Sequence, residues 1–65
     1  DCIVETSKFI YIFEFKLDGT AQEALEQIKN KGYASEYAND KRILFKIGCS
    51  FSSETGTIDD WKTED

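Results

Sequence analysis

The sequence contains no histidine, no methionine and a single arginine in 65 residues. Without histidine, Cys2 and Cys49 have neither the partners nor the spacing of a Cys/His zinc site, and that class of metal centre is excluded. No apolar run is long enough to span a bilayer, and no basic segment followed by an apolar one opens the chain as in a secretory signal. Basic residues are scarce: one Arg and seven Lys face thirteen acids, for a net charge of −5. Neutralising phosphates supplies most of the affinity for nucleic acid, so this chain alone is not expected to hold DNA tightly. The two cysteines can bridge only if their strands are neighbours, and the expectation is two thiols in a reduced, cytoplasmic compartment. A start at Asp1, without Met, reads as part of a longer polypeptide.

Apolar residues make up 40% of the chain and aromatics 14%, which argues for one folded domain over residues 1–65 with a small core. Its organising stretch is Phe9 to Leu17, a run of strong β-formers. With period two, Phe9, Tyr11, Phe13, Phe15 and Leu17 share one face, and Ile10, Ile12, Glu14 and Lys16 share the other. Apolar faces on both sides predict a central strand. A shorter strand over Cys2 to Val4 precedes it across a Thr6-Ser7 turn, and Asp18-Gly19 ends it.

Thr20-Ala-Gln-Glu23 is a capping box, and Ala21, Ala24, Leu25 and Ile28 make an apolar stripe, so a helix is predicted from Ala21 to Lys31. Gly32 supplies a left-handed stop, Lys29 and Lys31 suit the negative end of the helix dipole, and Tyr33 is the contact beyond the cap. Residues 34–41 read as a loop, with one further helical turn at 35–38. A strand follows from Arg42 to Phe51, in which Gly48 marks a bulge or a close backbone approach. Residues 52–56 read as a turn, 57–62 as a short edge strand, and 63–65 as a frayed tail. The expected fold is α/β (α+β), a mixed sheet in strand-strand-helix-strand(-strand) order. One narrow helix covers only one face, so the Phe9/Tyr11/Phe13/Phe15 face is expected to need an upstream segment or a second copy of the chain.

Asp1, Glu14 and Lys16 converge if the first two strands form a hairpin. Two carboxylates and a backbone carbonyl, that of Phe15, make an oxygen site suited to Mg²⁺ or Mn²⁺, and an adjacent ammonium can activate water or balance charge on a phosphoryl group. The pattern Asp-x(12)-Glu-x-Lys, followed by Ala24-Leu-Glu-Gln-Ile-Lys-Asn-Lys-Gly-Tyr-Ala34, resembles the PD-(D/E)XK nuclease superfamily. More narrowly it is similar to the nuclease-like domain at the C-terminus of bacterial AAA-ATPase-like proteins. The resembling segments also include Tyr11-Ile-Phe-Glu-Phe-Lys-Leu-Asp-Gly19, Lys46-Ile-Gly-Cys-Ser-Phe-Ser52 and Ile58-Asp-Asp-Trp61.

That resemblance implies a partial restriction-endonuclease-like core, with Asp1, Glu14 and the Phe15 carbonyl as metal ligands and Lys16 as the catalytic lysine. Gln27 with Tyr33 would match the helix-borne glutamine motif. It also implies hydrolysis of DNA or RNA phosphodiesters, with nucleic-acid affinity supplied by an upstream ATPase-like domain. Plainer readings stand beside these. Glu14 and Lys16 can be a salt-bridged exposed strand end, Asp1 a surface acid, Gln27 a solvated helix residue and Tyr33 a capping contact. Trp61 and the Phe stripe read as core or interface, since no basic residues interleave them. The rival function is a non-catalytic protein-interaction module, either β-grasp-like or a degenerate nuclease fold.

Overall fold

A computed structural model describes residues 2–64, apart from the Ala34 side chain. Strand β1 (Cys2–Glu5) and strand β2 (Phe9–Leu17) are followed by helix α1 (Ala21–Asn30) and the single turn α2 (Tyr33–Glu36), then strands β3 (Ile43–Phe51) and β4 (Ile58–Glu64). The sheet order is β1-β2-β3-β4, parallel between β2 and β3 and antiparallel at both outer pairs. This is the expected mixed α+β arrangement, with β2 internal. Parallel β2 and β3 need a crossover, and α1 with α2 provides it.

The helix forms where its signals lie. The Thr20 hydroxyl accepts from the Glu23 amide at 3.0 Å, and Glu23 Oε1 accepts from the Thr20 amide at 2.9 Å. Gly32, at φ 75, follows the Lys31 cap in the left-handed conformation that lacks a Cβ penalty. Ala21, Ala24, Leu25 and Ile28 are buried, and Leu25 and Ile28 join Ile10 and Ile12 in the core, with Tyr33, Tyr37 and Leu44 packed around it. Each fully buried Ile contributes about 2 kcal/mol over its exposed state. Only a handful are present, so this core is a thin layer on one side of the sheet.

Gly48 is the place of closest approach. A Cβ there would collide with the Ala21 carbonyl oxygen and stand 2.9 Å from the Leu25 amide nitrogen. The close-approach reading of Gly48 therefore holds, and the register shift falls further on, at Ser50/Phe51 against β4. Ser50, also buried, donates its hydroxyl to the Gly19 carbonyl at 2.8 Å and ties β3 to the start of the crossover.

Several boundaries differ from the sequence-based expectations. The connection between β1 and β2 is Thr6-Ser7-Lys8, in which the Thr6 hydroxyl accepts from the Phe9 amide at 2.9 Å, so the turn is one residue longer than expected. The second helical turn begins at Tyr33, because Gly32 restarts the helix directly: its carbonyl accepts from the amides of Ser35 and Glu36. Strand β4 continues through Thr63 and Glu64, paired with Ile47 and Lys46, so those two residues are not frayed. Asp65 lies outside the described residues. Cys2 and Cys49 are free, and β2 runs between their strands. Two strand spacings of about 4.8 Å exceed the reach of a disulfide.

The face opposite α1 carries Phe9, Tyr11, Phe13, Phe15 and Leu17, and beside them Ile43, Phe45 and Phe51 at matching register positions. Tyr11 and Phe45 stack with centroids 5.4 Å apart, and Phe15 meets Phe51 at 5.5 Å. Among the described residues no element covers this face, and Phe15 is 41% and Leu17 69% exposed.

Candidate active site

Glu14 sits on the helix-facing side of β2, two residues beyond Ile12, in the row that carries Gly48 on β3. A carboxylate there would be exposed if the neighbouring strand held a side chain that kept the helix away. With Gly48 beside it, α1 closes down and Glu14 is only 5% exposed. The plain alternative of an exposed strand-end pair is thereby overturned. A buried carboxylate needs a cation or strong donors. Lys31, at the C-cap of α1, provides one: its Nζ donates to Glu14 Oε1 at 2.9 Å. This bond holds the Lys31 ammonium above the usual lysine range, opposed by desolvation and assisted by Coulombic attraction from Glu14 and then Tyr33.

The sequence-predicted residues are distributed around this pair. Tyr33 begins α2 and packs on the Ile10/Ile12/Leu25/Ile28 core, so its capping role is real. Gln27 is half-buried one helical turn before Lys31, and its carbonyl accepts the Lys31 amide at 3.0 Å. Lys16 shares the Glu14 face of β2, but its stem folds over the β2–α1 connection: a Cβ on Gly19 would meet Lys16 Cγ, with Cε 3.3 Å away. Phe15 follows Glu14 on β2, and pairs with Cys49 on β3. Asp1 lies outside the described residues.

Lys31 is the component that sequence reasoning assigned only to the helix dipole. Its signal was a strand carboxylate bound for burial, with a lysine one turn past Gln27 at the cap.

The donors can be matched to a hard cation. Mg²⁺ takes oxygen ligands, keeps several waters and needs only one or two protein carboxylates. Glu14 is a buried oxygen donor whose charge is already met by an ammonium, and in kind it fits one ligand of such a site. Among the described residues no three Asp, Glu, His or Cys side chains lie together as a complete metal cluster.

A second charged cluster lies at the other end of the strands. Arg42, just before β3, donates to Asp40 Oδ2 at 2.7 Å, to Glu5 Oε1 at 2.8 Å and to the Thr6 carbonyl at 3.1 Å. It clamps the β1–β2 turn, and its hydrogen bonds hold the Asp40 carboxyl down at about 2. This cluster is structural.

A mixed sheet with a helix crossing between its two parallel inner strands, and an acid and a lysine two residues apart on one of them, defines an α+β class. Residues 1–61 match the model of the PD-(D/E)XK nuclease superfamily, and the chain belongs to that superfamily, as a partial restriction-endonuclease-like core. It is also 33% identical over 60 residues to an uncharacterized protein encoded in the vnfD 5′ region of Azotobacter chroococcum mcd 1. That match covers 89% of this chain and 12% of the relative, so the chain spans about an eighth of that protein's length. No solved structure matches the chain. No helix among the described residues is long and apolar enough to cross a membrane.

Proposed function

We propose that this chain carries the site of a metal-dependent nuclease that hydrolyses nucleic-acid phosphodiesters within a longer, cytoplasmic, AAA-ATPase-like protein. The observation that carries the proposal is the burial of Glu14 under α1, against a cation, in a chain that matches the nuclease superfamily over nearly its whole length. Glu14, Asp1 and the Phe15 carbonyl would hold Mg²⁺ or Mn²⁺, which when bound would stabilise negative charge on the phosphate under attack. Lys16, two residues on along the same face, would swing from the Gly19 turn to orient the attacking water and balance phosphoryl charge. Gln27 and Tyr33 would position the nucleotide beside it. The net charge of −5 leaves affinity for nucleic acid to the ATPase-like part. On the same reading the Phe9/Tyr11/Phe13/Phe15 face packs under the rest of the polypeptide, a second copy of the chain being the other occupant.

Family membership takes the place of the β-grasp-like alternative. A degenerate nuclease fold kept for binding is favoured by one observation: the ammonium on Glu14 is that of Lys31, while Lys16 is turned toward Gly19. Adding Mg²⁺ separates the two. A catalytic site predicts shifted resonances at Glu14 and Phe15 and a raised melting temperature. A binding-only fold predicts neither.

A further inference from the structure

The two halves of the Glu14–Lys31 pair are unlike in one respect that matters for a metal site. The Glu14 side chain is 6% exposed and fixed in a strand, whereas the Lys31 side chain is 45% exposed and hangs from a helix cap. A carboxylate so buried is costly to leave without a cation or hydrogen-bond donors against it. The ammonium has no such need, because water replaces its partner at little cost when it swings outward. The carboxylate is thus the fixed element and the ammonium the exchangeable one.

We infer that Lys31 is a positioning residue that occupies Glu14 in the metal-free protein and is displaced from it when a divalent cation binds. The inference rests on the proposal that Glu14 is a metal ligand. Lys31 holds the carboxylate in place while no metal is present, and its competition lowers the metal affinity of the site. A lysine serving structure alone would lower stability on removal and leave metal affinity unchanged.

The test is calorimetric titration of Mn²⁺ into the wild type, Lys31→Met and Lys31→Arg at one pH and ionic strength. Lys31→Met keeps much of the stem and removes the charge. It is expected to bind Mn²⁺ about tenfold more tightly than wild type, a size usual for coupling between two ligands, and Lys31→Arg is expected to restore weaker binding. In the wild type, saturating Mg²⁺ is expected to move the Lys31 side-chain NMR signals to those of an exposed lysine. This second measurement stands if Lys31→Met does not fold. Equal affinities, or Lys31 signals unmoved at Mg²⁺ saturation, overturn the exchange and leave the metal site intact. Absence of metal binding in both wild type and Lys31→Met overturns the exchange together with the proposed function.

Discussion

Gly48 stands opposite Glu14 in the parallel β2–β3 ladder, and the backbone of α1 occupies the space where a side chain on Gly48 would be. Burial of the carboxylate thus depends on the absence of a methyl group on the next strand. Gly48→Ala forces the Ala21 and Leu25 backbone outward, and backbone gives less readily than a side-chain tip. The expected cost is about 1–3 kcal/mol of stability in urea denaturation, in the range for overpacking. Unchanged stability would show that the helix does not depend on this contact.

The cap at the start of α1 offers a more local test. Thr20→Ala removes the acceptor for the Glu23 amide and breaks the reciprocal box. A loss of about 1 kcal/mol is expected. Thr20→Ser, which keeps the hydroxyl, should restore most of it, and equal denaturation midpoints for the two variants would contradict the capping role.

Asp40 gives the pH dependence a sign. Its carboxyl titrates at about 2 in the fold against an ordinary 3.8, chiefly because of the side-chain hydrogen bond from Arg42. A depressed carboxyl contributes stability that is present in full above the ordinary value and is lost as pH falls through the folded one. The melting temperature is therefore expected to decline between about pH 4 and pH 2, and Asp40→Asn is expected to flatten that decline while lowering stability at neutral pH. An identical acid profile in the variant would remove Asp40 from the explanation.

The uncovered aromatic face makes its own prediction. Phe15, Leu17 and Trp61 are exposed, at 41%, 69% and 64%. A patch of this kind marks a surface made for contact. By itself the 65-residue chain is expected to self-associate or to bind a hydrophobic dye, and Phe15→Lys is expected to reduce both. Light scattering that gives a clean monomer with no bound dye would contradict the reading.

Much of this was legible in the chain itself. The two faces of Phe9–Leu17, the Thr20/Glu23 box and the Gly32 stop are local signals, each enforced within a few residues, and each took its expected form. The Asp-x(12)-Glu-x-Lys spacing carried the family, which the match over residues 1–61 bears out. What stayed hidden was long-range. Nothing near Lys31 says that its ammonium reaches a carboxylate 17 positions earlier, because the contact exists only after α1 has crossed over β2. Likewise Arg42 meets Glu5 across 37 positions, and pairing with β3 keeps Thr63 and Glu64 in register at the end of β4.

The most direct test of a hydrolytic site at Glu14 is a nuclease assay on the protein that carries this chain in its natural polypeptide, with Mg²⁺ and with Mn²⁺, beside Glu14→Ala and Lys16→Ala. Cleavage by the wild type that falls about 10²-fold or more in both variants, with melting temperatures kept, is the expected result. Wild type and variants cutting alike, or none of them cutting, would contradict it.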